Sequence, residues 1–355
     1  MIIVAIAFFL LLVFGVPIAF VIGITAVVHL LSVPDSNLLE ITTQRLFSGI
    51  NNFSLLAIPF FVLAGELMNA SGITSKLLEF SRNLVGHLKG GLAYVNVLIG
   101  VFLGAILGSA NAEAAIRSST VVPEMEKDGF PKKFSAALTA TSSVIGPIHP
   151  PSIVFIIYAV IASTSVGALF LAGIFPAFLI AFAHVIIIYF YARKKHLNVR
   201  PFPSFKKLGI SFLESLPALL IPAIILGGIY SGVFTATESG AIACFVAIVI
   251  GLFYYRTLKI SDFPRIFFNA GLITSSVTII IATANILGWS LTIEQLPQKM
   301  TEALLTVSEN PYVILMIINV ILLIVGMFME VTAALLILVP ILLPVVTTLG
   351  IDPVH

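Results

Sequence analysis

Charge is what this sequence has least of. Asp, Glu, Lys and Arg make up 10% of its residues and hydrophobic ones 59%, where a soluble domain carries about 25% charged residues. Over 355 residues that leaves too little polar surface to coat a particle in water, which excludes a soluble globular protein. With a formal charge of +2 and no basic, aromatic-interleaved patch, no nucleic-acid partner is expected. The one cysteine, Cys244, excludes an internal disulfide, and its apolar setting suits inert packing. Pairs of the form CxxC and other metal-spaced clusters are absent. Between Met1 and Leu31 there is no Lys, Arg, Asp or Glu, so the basic start of a signal peptide is missing. The stretch reads as a retained helix, bent at Gly15-Val16-Pro17.

Long apolar runs are what the sequence has in their place. Most approach ~20 residues, enough to cross hydrocarbon as a helix. The alternating segments of about 10 residues that build a membrane barrel are not seen. The chain is therefore expected to be an all-α polytopic protein of the lipid bilayer. Two loops concentrate basic charge, one with Arg193, Lys194, Lys195, Arg200, Lys206 and Lys207, the other with Arg256, Lys259 and Arg265. Basic loops stay cytoplasmic. The runs 212–230 and 238–255 then cross out and back, leaving "SGVFTATESG" (231–240) on the far side. Residues 72–90 are mixed and basic, and read either as a helix on the membrane surface or as a solvated loop.

The stretch "TSSVIGPIHPPSI" (141–153) interrupts an apolar run with three prolines, a glycine and a histidine. In a helix, Pro147, Pro150 and Pro151 would free the carbonyls of Ser143, Gly146 and Pro147. Such backbone survives at membrane depth only inside protein or against an aqueous cavity, and freed carbonyls are ligands for a cation such as Na⁺. Ser152 can cap the next helix, whose N–H groups suit an anion. A plain proline kink is the alternative. Thr139, Thr141, Ser142 and Ser143 either join the site or bond their own helix. His149 either contacts an anion or carries a proton, or is held structurally.

Upstream, Gly100, Gly104 and Gly108 lie four apart on one helix face, which permits close backbone contact. After "SANAE" (109–113) a short apolar helix returns to Pro123, as in a re-entrant hairpin with Ser109 and Asn111 at its tip; two ordinary helices joined by a turn would look alike. Glu113 and Arg117, four apart, suit an intrahelical pair or, at membrane depth, a functional one. Further intramembrane polar residues are Glu66, Glu238, Asn285, Glu330 and Thr332. Asn285, ahead of Gly288 and Trp289, suggests a second unwound helix; an interhelical hydrogen bond is the alternative. No nucleophile or metal spacing accompanies Glu66, Glu113 or His149, so no catalytic residue and no enzyme are expected.

A weak internal echo relates "VPEMEKDGF" (122–130) to "LPVVTTLGI" (343–351), and "EAAI" (113–116) to "TAAL" (332–335). Paired repeats around a central site are common in secondary transporters. The expected division is 1–200 as a first repeat, with the hairpin at about 92–123 and the broken helix at about 134–163, and 201–355 as a second repeat, incomplete at its C-terminus. On the same spacing, a counterpart of Gly146–Pro151 is expected past His355, at roughly 367–372.

These residues resemble a known family. "ALTATSSVI" (137–145) with "GPIHPPSI" (146–153) is similar to the signature of the large membrane subunit of tripartite ATP-independent periplasmic (TRAP) transporters. "GVFTATESGAIA" (232–243), "ILGWSLT" (286–292) and the stretch 326–355 resemble further family blocks in the expected order. The resemblance implies an elevator-type transporter with inverted repeats, a re-entrant hairpin and discontinuous helices, in the bacterial inner membrane. It implies Na⁺-coupled import of an organic anion (a C4-dicarboxylate, a sugar acid or a related carboxylate), a periplasmic solute-binding protein and a small four-helix membrane subunit as partners, and no organic cofactor. Carried over by motif, the Na⁺ candidates are Ser109, Asn111, Ser143, Gly146, Pro147, Gly288 and Thr332. The substrate candidates are Asn111, Glu113, His149, Ser152 and Asn285. In the family the tip is usually richer in glycine, serine and threonine, position 117 is more often small, and position 149 is commonly apolar. A binding-protein-independent ion-coupled carrier or channel is the alternative function.

Overall fold

The computed structural model describes residues 2–33, 37–195 and 197–355, and among them the chain forms helices and no strand. The helices are α1 (Ile2–Val13), α2 (Ile18–Ser32), α3 (Asn37–Ile50), α4 (Ala57–Ala70), α5 (Ile73–Val85) and α6 (Gly91–Leu107). There follow α7 (Ala110–Thr120), α8 (Val122–Lys127), α9 (Lys132–Ser142), α10 (Ile145–Ile148), α11 (Ile153–Ile161) and α12 (Val166–Arg193). The remainder are α13 (Phe205–Tyr230), α14 (Ala236–Val249), α15 (Phe263–Ile293), α16 (Leu296–Val307), α17 (Pro311–Gly326) and α18 (Val331–Thr348). Among the described residues, six helices are long and apolar enough to cross a membrane, and α9–α11 make a seventh if the bent pair is one span.

Two compact units interleave along the sequence. One comprises Met1–Leu56, Ile156–Ser165 and Gly271–His355; the other comprises Ala57–Phe155 and Val166–Ala270. These units follow contacts, so they cut across the expected repeats at 1–200 and 201–355.

In the second of these units, α4 packs along α14, α5 lies against α6 and α13, and α6 also touches α7, α9, α10 and α12. Its core joins Leu92, Val97 and Val101 of α6 to Met125, Leu138, Ile145, Ala177 and Ile188. Helix α12 shows how the unit suits lipid. Gly173, Ala177, Ala181, Ile188 and Ala192 are buried, while Leu171, Phe175, Phe178, Phe182 and Phe190 are exposed. The small residues named here face protein and many large apolar ones face outward, although Leu169, Phe170 and Ile188 are buried as well; close backbone approach rather than water exclusion packs helices in hydrocarbon. The out-and-back pair expected between the basic loops is α13 and α14, the latter opened by a Thr235/Glu238 capping box. Residues 73–85 are helical rather than a loop: Ile73, Leu77 and Phe80 of α5 are buried, Lys76 reaches Glu214 at 2.7 Å and Arg82 reaches Glu124 at 2.5 Å.

In the first unit, the N-terminal stretch is not one bent helix. Gly15 adopts φ +72°, Pro17 opens a new helix, and α1 and α2 pack against each other. The second unwound helix expected at Asn285 is also not observed: α15 runs unbroken from Phe263 to Ile293. Asn and Gly each cost a helix interior about 1 kcal/mol or less, too little to break so long a helix without a proline. Near the C-terminus α18 packs on α16 and α17, around Leu304, Ile314, Ile318, Leu342 and Val345.

A side chain at Gly240 would meet the Phe60 Cβ at 2.8 Å in the α4–α14 contact, whereas Gly271 has nothing within 4 Å. Gly240→Leu is expected to destabilise by about 1–3 kcal/mol, read as a lower Tm of the purified protein in detergent. Gly271→Ala should leave Tm level or slightly higher.

Candidate functional site

The break forms where the prolines require it. Helix α9 ends at Ser142, the single turn α10 covers Ile145–Ile148, and α11 starts at Ile153, with the two apolar limbs bent by 48°. The Pro150–Pro151 bond is cis. Two of the three carbonyls expected to be freed are taken within the chain. Ser143 O accepts from Gly146 N at 3.2 Å, and Pro147 O accepts from the Ser152 hydroxyl at 2.5 Å. Each carbonyl oxygen keeps a second lone pair. Ser152 also accepts from Phe155 N at 3.4 Å, so it caps α11 as expected.

Facing the break is the hairpin of α6 and α7, which pack on each other. Gly108 turns the chain with φ +57°, and the Ser109 side chain caps α7 by accepting from Ala112 N. Asn111 is exposed in the first turn. One turn on, Glu113 and Arg117 are both fully buried, 2.9 Å apart. Their expected i,i+4 pairing is thus observed, in an enclosed setting.

Helix α9 supplies acceptors for that pair. Its hydroxyls donate to their own helix: Thr139 to Ser135 O, Ser142 to Leu138 O and Ser143 to Thr139 O. With its proton committed in this way, each oxygen can only accept. Arg117 Nη1 donates to Ser142 Oγ at 2.9 Å, and Nη2 to Ser143 Oγ at 2.7 Å. From α6, Asn96 offers Arg117 Nη1 its carbonyl at 2.9 Å and its Oδ1 at 3.4 Å, while its Nδ2 donates to Thr139 Oγ1 at 2.7 Å. One guanidinium therefore ties the hairpin, α6 and the end of α9 together.

Glycines make the room. A Cβ at Gly100 would stand 2.6 Å from Arg117 Nη1. One at Gly104 would stand 3.3 Å from Glu113 Oε1, and one at Gly146 would collide with that same oxygen. The glycine row of α6 thus admits an ion pair as well as a neighbouring helix. Among the described residues, Glu113 Oε1, Arg117 Nε and His149 Nδ1 are buried without a hydrogen-bond partner. The His149 ring lies edge-on to Phe178, 6.0 Å between centroids.

Ser109, Asn111, Glu113, Ser143, Gly146, Pro147, His149 and Ser152 all belong to the second unit, at the hairpin and the break. Asn285, Gly288 and Thr332 belong to the first. Asn285 lies against Gly49. Gly288 sits in unbroken helix with open space beside it. Thr332, in the first turn of α18, donates its hydroxyl to Glu330 Oε1 at 3.1 Å. Glu113, expected on the substrate, is held by Arg117. Ser143, expected on Na⁺, has its hydroxyl between Arg117 and Thr139 O. Asn96 was missed in the sequence, although it stands four residues before Gly100, the only strongly polar side chain in α6.

Gly146→Ala would push a methyl into Glu113 Oε1. It is expected to lower stability by about 1–3 kcal/mol and to displace the carboxylate, read as a reduced Tm. An unchanged Tm would mean that the carboxylate does not rest on Gly146.

Comparison with known proteins agrees with this architecture. Residues 5–355 match the family model "Tripartite ATP-independent periplasmic transporter, DctM component". A sialic acid TRAP transporter large permease protein of Vibrio cholerae is 39% identical, across 96% of this chain and 80% of its own length. A C4-dicarboxylate TRAP transporter large permease protein of Pseudomonas aeruginosa is 38% identical, across 93% and 77%. The crystal structure of the Alcanivorax borkumensis YdaH transporter superposes with a TM-score of 0.60 at 16% identity, covering 90% of this chain and 75% of that one, a likeness of fold alone. The chain is thus a multi-pass inner-membrane transporter subunit and not an enzyme; it belongs to the DctM family, the large permease component of TRAP transporters.

Proposed function

We propose that the chain is the carrier of a tripartite system, importing an organic anion down a Na⁺ gradient after a periplasmic binding protein delivers it. A small four-helix membrane subunit completes the complex. The observation that carries this reading is the break at Gly146–Ser152, between two apolar helix limbs, facing the hairpin of α6 and α7. A closed helix satisfies its own backbone; this one gives up that satisfaction where Ser109, Asn111 and the capped start of α11 converge. Anions are favoured at helix N-termini, and unwound carbonyls are favourable for cations. Relatives named for sialic acid and for C4-dicarboxylates support a carboxylate as the substrate class.

The ions and the substrate share the tip and the break in this reading. Ser109, Asn111 and the Gly146 and Pro147 carbonyls serve Na⁺, with the Ser143 carbonyl in place of its committed hydroxyl. Ser152, Asn111 and His149 serve the substrate. On the first unit, Gly288 and Thr332 are the candidates for a second Na⁺ position and Asn285 for an anion contact of that unit's own. A second hairpin, α17 and α18, whose second arm is capped by Glu330, supports the division into repeats at 1–200 and 201–355, each holding one hairpin. An elevator motion of the substrate-holding part follows from that organisation.

The test is uptake of labelled C4-dicarboxylates and sugar acids into proteoliposomes holding the full chain with its small subunit and binding protein. Uptake is expected to need both inward Na⁺ and the binding protein. Pro150→Ala with Pro151→Ala is expected to restore helix across the break and abolish Na⁺-coupled uptake. Uptake indifferent to Na⁺ would overturn the coupling, and uptake without the binding protein would replace the tripartite reading by an independent carrier.

A further inference from the structure

The seam between hairpin and break is an oxygen cage. Asn96 O, Asn96 Oδ1, Ser142 Oγ, Ser143 Oγ and Glu113 Oε2 all lie within 3.4 Å of the Arg117 terminal nitrogens. They come from α6, from the end of α9 and from α7. The two serine hydroxyls have committed their protons to their own helix, and the other three oxygens carry none, so the cage can only accept. A carbonyl, an amide oxygen, two hydroxyls and a carboxylate are hard oxygen ligands, the kind that hold a small cation.

The geometry points to Arg117 as a tethered cation: its guanidinium permanently fills an alkali-cation site at the seam, so that the seam takes no Na⁺ while Arg117 is there. Three observations support this. First, the guanidinium cannot lose its proton, so the charge stays. Second, Arg117 and Glu113 are fully buried and neutralise each other; a Na⁺ added inside the cage itself would be an uncompensated buried charge, at a high desolvation cost. Third, the backbone is shaped for this occupant, since Gly100 leaves no room for a methyl beside Nη1. Replacing Arg117 by a small residue leaves the Glu113 carboxylate and four neutral oxygens around the space the guanidinium occupied. A free Na⁺ would then take the role of the tethered charge.

Resting on the transport reading, the consequence for coupling is that the seam neither gains nor loses a cation during a cycle. The number of Na⁺ ions moved per substrate is then set elsewhere. The test does not depend on transport, so it separates from a failure of Na⁺-coupled uptake. The full chain is purified in detergent as wild type, Arg117→Ala, Arg117→Lys and the double variant Arg117→Ala with Glu113→Gln. Bound ²²Na⁺ per chain is counted, and Tm is followed against NaCl with choline chloride keeping ionic strength constant.

Arg117→Ala is expected to bind one more Na⁺ per chain than wild type. Its Tm should rise more steeply with Na⁺, as linkage requires of an ion bound only by the folded state. Arg117→Lys keeps a tethered charge and should match wild type in Na⁺ bound. The double variant lacks the carboxylate and should lose the extra ion. A merely structural arginine would lower Tm equally in both salts. That result overturns the proposal, as does an equal gain of Na⁺ by Arg117→Lys. It is overturned too if Arg117→Ala fails to fold in high Na⁺, because the ion then does not substitute for the guanidinium.

Discussion

Two opposite charges, Glu113 and Arg117, sit in this protein with no exposure to solvent, and the structure around them is organised by that fact. Burying an ion pair is costly unless its remaining donors and acceptors are matched, and removing one partner typically costs about 3–5 kcal/mol; here all but Glu113 Oε1 and Arg117 Nε are matched. The matching comes from three helices. Asn96 turns both its oxygens to the guanidinium, and α9 ends in two adjacent serines whose oxygens point the same way. Glycines on α6 and at the break withdraw to let the pair in. The ion pair is therefore also the joint that sets where the hairpin meets the broken helix.

The break itself obeys a different constraint. Backbone groups at membrane depth need partners, and prolines remove some of the usual ones. Ser152 answers locally, closing the loop by donating to Pro147 O and opening α11 by accepting from Phe155 N. Such a local solution keeps the break narrow and reproducible. Helix α9 brings a row of hydroxyls to one side of it, each satisfied within its own helix yet still able to accept. Acceptor capacity is thus stored on α9 without unpaired hydroxyl donors.

Around this polar seam the packing is inverted relative to a soluble protein. On α12 glycine and alanine make up half of the buried face, beside Leu169, Phe170, His184 and Ile188, and the outward face is rich in phenylalanine and leucine. Apolar area gives no preference for the inside when the surroundings are hydrocarbon, so closeness of approach decides which face turns inward. The same logic lets α4 and α14 meet at Gly240.

The sequence by itself determined the features whose causes are local. Scarcity of charge and the run lengths place the chain in a bilayer, and basic loops pair α13 with α14. Proline chemistry puts the break between Ser142 and Ile153, and Ser152 in front of Ile153 announces the cap. The i,i+4 spacing of Glu113 and Arg117 shows that they can meet. Only the tertiary structure decided what that pair does, because the groups that enclose it, Asn96, Ser142 and Ser143, are 21 to 26 residues away from Arg117. It also decided that the glycine row makes room for a guanidinium, since a missing Cβ reads the same whichever neighbour fills the gap. And it decided that Asn285 and Gly288 leave α15 unbroken: their weak local preferences are overridden along a helix of 31 residues, whereas the missing N–H and steric clash of a proline are not.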